Sequence, residues 1–434
     1  MKIGLIFCKI DDVFDRYKAG VFSIFESNPP LGLGAIGSVA LNRGHQVKIF
    51  DQQLEQYSNE ELIDEVLKYN PDIIGFSCTS LNIENSLICT RKIKSIKNKI
   101  IFAGGIHITL CTKEVSNLEL YDFLISGEGE EVFEKILICF ENEKDLKKIN
   151  VQGLWLKGEN IDRGCAVLTT VNKGIIERSI FNINKYKNKG ALLSETPCYS
   201  LFSSRGCPYK CKFCSKPDYF KIYRQREIDE VIKEIKYLIK NFQCKSISFR
   251  EDNFTVDIER LKEFCNRMIE EFDGAFFWEC ESRADLPKEI LEIMYRAGCR
   301  GIWCGIETIV SKWQNWIEKK LKKERIIEFY GNCQKIGIKT GALFIFGFPT
   351  QTKEEIEEDI QFAISLPTEF SAFQCLAIFP GSLLLDFYKE GKNCAFITKN
   401  VALSLINGKS PEEMISLEEK INRRIRSTRL NYRG

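Results

Sequence analysis

The chain has 434 residues, 44% hydrophobic and 28% charged, which is typical of a globular protein with two or three domains. Its net charge of +2 gives no whole-chain reason to expect nucleic acid or a membrane surface as a partner. The first apolar run is too short for a signal peptide, and no run of about 18 apolar residues predicts a membrane span, so we expect a cytoplasmic protein.

Apolar segments alternate with helical patterns through residues 1–142. The predicted strands are 2–7, 46–51, 72–77, 99–105 and 122–129. The predicted helices are 31–44, closed by Gly44, then 59–70, capped by Asn59, and 82–97. Such alternation predicts an α/β domain with a doubly wound, Rossmann-like parallel sheet. Ligands of such sheets bind outside the carboxyl ends of the strands.

A second α/β region follows a predicted linker at residues 143–196. Over residues 197–392 we predict six strand–helix units, with strands at 198–204, 246–251, 275–282, 301–307, 340–347 and 371–379. The helices are predicted at 226–242, 258–272, 287–298 and 354–366. Six units are two short of a TIM barrel, so the expected fold is a partial (β/α)6 barrel, open on one side. Residues 393–434 are predicted to form a short helical C-terminal tail.

Three of the 18 cysteines stand close together, in the stretch CPYKCKFC that follows the first barrel strand. Cys207, Cys211 and Cys214 have a C-x3-C-x2-C spacing, and barrel active sites form at this carboxyl-end mouth. A zinc site needs a fourth ligand, and the two histidines, His45 and His107, lie in the other predicted domain. The remaining interpretation is a 4Fe-4S cluster on three thiolates, with one iron open. Most other cysteines lie singly in apolar stretches and are predicted to be small buried hydrophobes; so many free thiols weakly suggest anaerobic life.

This loop resembles the signature of radical S-adenosylmethionine enzymes. The resemblance implies that the three cysteines are the cluster ligands, that S-adenosylmethionine chelates the open iron, and that Phe213 packs beside the adenine. The segments FREDNFT, ESRADLP and GIWCGIET resemble later strand ends of the same superfamily, and the likeness extends over 198–390. They imply cofactor contacts from Glu251, Asp252, Arg283 and Glu307. An ordinary strand-end role remains the alternative for each of these four residues.

Four segments of the N-terminal domain, at 28–51, 72–80, 101–109 and 123–131, resemble the cobalamin-binding domain of cobalamin-dependent radical S-adenosylmethionine enzymes. The resemblance implies corrinoid contacts from a set of mostly small residues: Ser77, Thr79, Gly104, Gly105, His107 and Gly127. A tight turn is the alternative for each glycine, and a strand-end hydrogen bond for His107. The loop at 8–20 lacks the histidine of the D-x-H-x-x-G motif, so no cobalt-binding histidine is expected there. A domain without any cofactor also remains open.

The resemblance implies radical chemistry, in which a reduced cluster cleaves S-adenosylmethionine and the 5′-deoxyadenosyl radical abstracts hydrogen from an unactivated carbon. Our first hypothesis is a C-methyltransferase that transfers a methyl group from methylcobalamin to a small metabolite or natural-product intermediate. The second is a cyclase, ring-contraction or rearrangement enzyme, and the third is a non-catalytic iron–sulfur electron-transfer protein. The expected partners are a small-molecule substrate and an electron donor of the flavodoxin or ferredoxin type, without nucleic acid or membrane.

Overall fold

The computed structural model describes residues 1–11, 28–159, 161–171, 176–186, 189–216, 218–390, 394–396, 401–406 and 409–432. Its contacts divide the chain into two units: one comprises the N-terminal strand and Pro29–Tyr186, the other Lys187–Gly434. No helix in the described ranges is both long and apolar enough to span a membrane.

The first unit is built on a six-stranded sheet. Its strands are β1 (Lys2–Phe7), β2 (Gln46–Asp51), β3 (Ile73–Ser77), β4 (Ile100–Gly104), β5 (Phe123–Ile125) and β6 (Leu154–Leu156). The strand order is β2-β1-β3-β4-β5-β6, and β1 to β5 are parallel, as the doubly wound prediction requires. The helices are α1 (Leu31–Asn42), α2 (Gln52–Glu55), α3 (Asn59–Tyr69), α4 (Ile83–Ile96), α5 (Ile106–Leu110), α6 (Thr112–Ser116) and α7 (Glu130–Glu141).

Two details of the first unit differ from the sequence expectation. Helix α3 is capped by Ser58 rather than Asn59, because Ser58 Oγ accepts from the Glu61 backbone while the Glu61 carboxylate accepts from the Ser58 backbone. Strand β6 lies within the predicted linker and pairs antiparallel with β5. Its three apolar side chains are buried, so this part of 143–196 completes the edge of the sheet.

The second unit contains the predicted partial barrel. Its parallel strands are β7 (Cys198–Leu201), β10 (Ser246–Phe249), β11 (Phe277–Ser282), β12 (Cys299–Glu307), β13 (Lys339–Phe346) and β14 (Phe370–Cys375). Each strand pairs with the next along the chain, which confirms the (β/α)6 architecture. A short pair, β8 (Ser204–Arg205) and β9 (Arg224–Gln225), interrupts the first crossover. The helices are α8 (Ile228–Phe242), α9 (Ile258–Phe272), α10 (Lys288–Arg296), α11 (Ser311–Trp316), α12 (Lys323–Ile336), α13 (Lys353–Ser365), α14 (Leu384–Glu390) and α15 (Pro411–Tyr432).

Additional elements accompany the barrel beyond those predicted. Helices α11 and α12 complete the crossover after β12, and β15 (Ala377–Ile378), β16 (Cys394–Phe396) and β17 (Ala402–Ser404) form a small antiparallel sheet. The C-terminal helix α15 covers the barrel edge through side chains. Asn422 accepts from Phe373 N and donates to Phe373 O, both at 2.8 Å, and Glu418 accepts from Cys375 N at 2.8 Å. These bonds occupy edge groups of β14 that a seventh strand would otherwise pair.

Candidate active site

The three-cysteine loop begins directly after β8 and is fixed by backbone contacts. Gly206 has φ +89°, and a Cβ at this position would lie 2.2 Å from Ile222 O, so the turn requires glycine. Cys207 N then donates to Phe220 O at 2.8 Å. Further along, Lys212 N donates to Ile317 O at 3.0 Å. The loop is therefore tied both to its own return segment and to the segment after α11.

All three cysteines in this loop are free thiols and half-buried. Burial raises the pKa of each thiol, to about 11 for Cys214, while Lys216 lowers the pKa of Cys214 and Lys319 that of Cys211. In the described ranges, no three His, Cys, Asp or Glu side chains converge as they would around one metal ion. A cubane cluster places its thiolates on separate irons, so its ligands need not converge. The loop's donor set fits such a cluster better than a single ion.

Phe213 is half-buried and packs at the margin of an apolar cluster. The core of that cluster includes Trp313, Ile317 and Phe348. The aromatic ring is therefore held against the barrel mouth next to Cys214. Its predicted position beside an adenine remains a prediction.

Glu251 and Asp252 follow β10, and both are engaged with the cysteine loop. The buried Glu251 carboxylate accepts from Ser203 N and from Ser204 Oγ, immediately before the loop begins. Burial raises the pKa of Glu251, and the two serine bonds oppose that effect. The Asp252 carboxylate accepts from Lys216 Nζ, just after the third cysteine. Glu251 thus anchors the start of the loop and Asp252 its end.

Arg283 follows β11 and connects two loops at the barrel mouth. Its guanidinium lies 4.4 Å from the ring centre of Tyr209 in the cysteine loop. Its Nη2 donates to Lys319 O at 3.0 Å, and its Nε donates to Asp285 at 3.2 Å. The cation therefore joins the cysteine loop to the segment between α11 and α12.

Glu307 ends β12 in an unusual backbone conformation. Its φ is +68°, and the pairing of β12 with β13 shifts register between Gly305 and Glu307. The buried Glu307 carboxylate lies 2.6 Å from Lys319 Nζ. A Cβ on Gly305 would lie 2.3 Å from Glu307 Oε1, so glycine at 305 makes room for this ion pair.

Two buried side chains hold the backbone on either side of Glu307. Asp359 on α13 accepts from Thr308 Oγ1 at 2.8 Å and from Ile309 N at 2.7 Å. Gln314 Nε2 donates to Ile306 O at 2.8 Å. Left-handed backbone at a non-glycine residue costs free energy and persists only where surrounding contacts fix it. Asp359 and Gln314 provide those contacts.

Sequence reasoning missed several charged and aromatic groups of this region. Lys216, Lys319 and Tyr209 are the partners of Asp252, Glu307 and Arg283, and only their proximity in space identifies them. A fourth missed residue, Glu281, lies on β11 two residues before Arg283. Burial raises the pKa of Glu281 to about 7, although Arg250 and Lys216 act to lower it. The available signal was a pair of glutamates, Glu279 and Glu281, inside a predicted barrel strand.

The predicted corrinoid residues lie at the carboxyl ends of β3, β4 and β5, and most are bonded within the first unit. Thr79 N and Oγ1 both donate to Asn82 Oδ1, at 2.7 and 3.1 Å. A Cβ on Gly105 would lie 2.7 Å from Cys78 O, and one on Gly127 would lie 2.2 Å from Ala166 O. These glycines are therefore explained by close approach of the chain to itself.

The other three predicted corrinoid residues, Ser77, Gly104 and His107, differ in how much space surrounds them. Ser77 and Gly104 pair across β3 and β4, and a Cβ on Gly104 would meet nothing closer than 3.5 Å. His107 is buried, its Nδ1 lies 2.9 Å from Ser80 Oγ, and burial lowers its pKa to about 4, so its ring is neutral. The histidine-free loop predicted at 8–20 lies outside the described residues from position 12 onward.

Comparison with protein families gives two matches in chain order. A B12 binding domain model matches residues 17–137, and a radical SAM superfamily model matches residues 201–363. The first includes β2 to β5 of the doubly wound sheet, and the second begins at the end of β7 and includes the cysteine loop and the ends of β10 to β13.

Similar proteins include an uncharacterized methyltransferase from Pyrococcus horikoshii, 28% identical over 370 residues, covering 83% of this chain and 78% of the relative. The anaerobic magnesium-protoporphyrin IX monomethyl ester cyclase of Synechocystis is 25% identical over 297 residues, which is 65% of this chain but 57% of the cyclase. The chain thus spans less than two thirds of that enzyme.

The fold resembles that of a structure of the radical S-adenosylmethionine methyltransferase TsrM from Kitasatospora setae, with cobalamin and a [4Fe-4S] cluster bound. The TM-score is 0.74, with 16% identity, and the match covers 90% of this chain and 75% of TsrM. At this identity the likeness concerns the fold.

Proposed function

We propose that this chain, which matches a B12 binding domain model and then a radical SAM superfamily model, is a cobalamin-dependent radical S-adenosylmethionine enzyme, and specifically a C-methyltransferase acting on an unactivated carbon of a small metabolite or natural-product intermediate. The observation that carries the proposal is the cysteine loop at the mouth of a six-stranded partial barrel. Polar groups from three successive strand ends, after β10, β11 and β12, contact this loop or the segment beside it.

In this proposal the residues at the barrel mouth bind and orient the cofactor. Cys207, Cys211 and Cys214 hold the 4Fe-4S cluster, and Phe213 packs beside the adenine of S-adenosylmethionine. Asp252, Arg283 and Glu307 offer polar contacts to the amino, carboxylate and ribose groups, while Glu251 acts through the backbone of Ser203 and the side chain of Ser204. The bound cofactors supply a carbon-centred radical and a transferable methyl group.

We assign cobalamin to the carboxyl edge of the first sheet, with 1–142 as the cobalamin-binding domain and 197–392 as the radical domain. Gly104 has room for contact beside Ser77, whereas Thr79, Gly105, His107 and Gly127 shape the edge through contacts within the first unit. The neutral His107 ring supplies no charge there. The B12 binding domain match over this sheet supports the assignment.

A cyclase or rearrangement activity is the second candidate, because the Synechocystis relative carries a cyclase name. Product analysis separates the two activities. A methyltransferase releases S-adenosylhomocysteine together with 5′-deoxyadenosine and a methylated product, whereas a cyclase releases 5′-deoxyadenosine alone.

The proposal is tested by anaerobic reconstitution with iron, sulfide and cobalamin, followed by S-adenosylmethionine and dithionite. We expect 5′-deoxyadenosine from the wild type and none from Cys207→Ala. Cys394→Ala is the matched control, because Cys394 is also a half-buried free thiol of the second unit. We expect this variant to form 5′-deoxyadenosine like the wild type. Equal cleavage by Cys207→Ala would refute the cluster assignment, and loss of cobalamin during gel filtration would refute the cobalamin assignment.

A further inference from the structure

Two loops at the barrel mouth carry an unusual concentration of positive charge. The cysteine loop contains Lys210 and Lys212, and the segment after α11 contains the run KKLKK at 319–323. The loops adjoin, since Lys212 N donates to Ile317 O and Arg283 bridges Tyr209 and the Lys319 carbonyl. They therefore present one surface, although the whole chain has a net charge of only +2.

Some of these cations have acidic partners. Lys212 pairs with Glu318 at 3.3 Å, Lys319 with Glu307 at 2.6 Å, and Lys323 with Glu358 at 3.4 Å. Three exposed lysines make no ion pair with any described residue: Lys210, Lys320 and Lys322. The surface thus keeps uncompensated positive charge beside the cysteine loop.

The same loops expose apolar side chains. Tyr209 is 43% exposed, and Ile222, which follows the segment that receives the Cys207 N–H bond, is 58% exposed. An apolar centre with a charged margin is the usual anatomy of a protein–protein interface. Electron-transfer complexes use small interfaces of this kind, and charge complementarity mainly raises their association rate.

We propose that this surface, made of Tyr209, Ile222, Lys210, Lys320 and Lys322, docks an acidic one-electron donor protein of the flavodoxin or ferredoxin class. This inference rests on the proposed function, in which the cluster in this loop must be reduced. One electron leaves the donor protein and enters the cluster, and no atom is transferred. The half-buried cysteines put the electron acceptor at this surface, where a docked donor can approach closely.

The test uses the reconstituted holoenzyme and a reduced acidic flavodoxin in anaerobic stopped-flow, with the bleaching of cluster absorbance as the signal. For the double variant Lys320→Glu/Lys322→Glu we expect the second-order rate of reduction to fall at least about tenfold at low ionic strength. The difference shrinks as salt is added, because salt screens exposed charges. Reduction by dithionite, a small reductant, stays at the wild-type rate.

The double variant Lys245→Glu/Lys339→Glu is the matched control, because it changes the net charge by the same amount. Lys245 lies just before β10 and Lys339 begins β13, so both exposed lysines lie at the amino end of the barrel strands, opposite the cysteine loop. An equal slowing in this control would assign the effect to net charge and overturn the proposal. An unchanged flavodoxin rate in the double variant Lys320→Glu/Lys322→Glu would also overturn it, as would an equal slowing with dithionite.

Nucleic acid is the competing occupant of a basic surface. Salt-sensitive binding of a transfer RNA pool that is lost in the Lys320→Glu/Lys322→Glu variant, with an unchanged flavodoxin rate, would assign the surface to nucleic acid instead. Because the signal is cluster reduction, the result does not depend on cleavage of S-adenosylmethionine. A wild type that is reduced by flavodoxin but cleaves nothing would contradict the proposed function and leave the docking surface standing.

Discussion

The carboxyl ends of the two parallel sheets differ in how their polar groups are used. In the first unit, Thr79, Gly105 and Gly127 meet their own chain, and His107 is a neutral ring bonded to a serine. In the second unit, Glu307 and Arg283 both bind Lys319, through its ammonium group and its carbonyl, and Arg283 also lies over the ring of Tyr209 in the cysteine loop. The carboxyl end of the first sheet (the first edge) therefore presents mostly small, uncharged groups that contact their own unit. The carboxyl end of the second sheet (the second edge) presents charged groups that join neighbouring loops.

The largest effect is expected at the second edge, from Gly206→Ala. An alanine there would place Cβ 2.2 Å from Ile222 O at φ +89°, so Gly206→Ala should distort the cysteine loop and remove most of the bound iron. Iron and sulfide assays after reconstitution measure the loss. Gly331→Ala is the control, because a Cβ on Gly331 meets nothing within 4 Å, and it should keep its iron. Full iron content in Gly206→Ala would show that the turn is not needed.

The first edge is disrupted by Gly127→Ala. The new Cβ would lie 2.2 Å from Ala166 O at φ +95°, and we expect a loss of roughly 3 kcal/mol in unfolding free energy. Denaturant titration measures this loss, and cobalamin retention should fall with it while iron content stays unchanged. Gly32→Ala, where a Cβ meets nothing within 4 Å, should be neutral. A parallel loss of iron would contradict the separation of the two edges.

At the second edge, we expect the contribution of Glu281 to the free energy of unfolding to depend on pH. Its pKa is raised from 4.5 to about 7 in the folded protein, so its contribution to stability is present below about pH 4.5 and is lost as pH rises through 7. Relative to Glu281→Gln, the wild type should lose up to about 3 kcal/mol between pH 5 and pH 8. Urea unfolding of both proteins across this range measures the difference. Parallel pH profiles would mean that Glu281 keeps an ordinary pKa.

A smaller effect is expected for Asp359→Asn. The asparagine amide accepts less well than the carboxylate and brings an N–H group towards Thr308 or Ile309, so we expect a cost of about 2 kcal/mol. If Asp359 positions Glu307, the affinity of the reconstituted protein for S-adenosylmethionine, measured by calorimetry, also falls. Asp359→Glu should restore part of that affinity. Unchanged affinity despite lower stability would confine Asp359 to a structural role.

The smallest effect is expected at the first edge, from Ser80→Ala. It removes the hydroxyl that lies 2.9 Å from His107 Nδ1 and should cost about 1 kcal/mol in thermal or denaturant unfolding. Iron content and cluster absorbance should not change. A loss of iron in Ser80→Ala would show that a change at the first edge affects the cysteine loop, and it would contradict the independence of the two edges.

The sequence was sufficient for the strands because buried parallel strands are short, continuous apolar runs, and their positions agree with the structure within a few residues. It was insufficient for β6, whose three apolar residues lie among charged residues and glycines in the stretch GLWLKGENIDRG. The cap at Ser58 depended on a reciprocal bond with Glu61 that competes with the adjacent Asn59. The three-cysteine motif was evident from spacing alone.

The sequence did not predict which charged side chains contact each other when they are distant along the chain. Lys319 follows Glu307 by 12 residues, and their contact depends on the register shift in β12 and on the left-handed backbone at Glu307. Gly305 looks like an ordinary strand glycine in the sequence, and only the structure shows that a side chain there would collide with the Glu307–Lys319 ion pair. Such contacts follow from tertiary geometry rather than from local pattern.

The helix over β14 also bears on how the protein behaves in crowded solution. An open sheet exposes unpaired N–H and C=O groups that invite a strand from another molecule, which is a common origin of aggregation. Here Asn422 and Glu418 satisfy the groups of Phe373 and Cys375, so an incoming strand must first displace a helix. The partial barrel can thereby remain unclosed without offering β14 to neighbouring molecules.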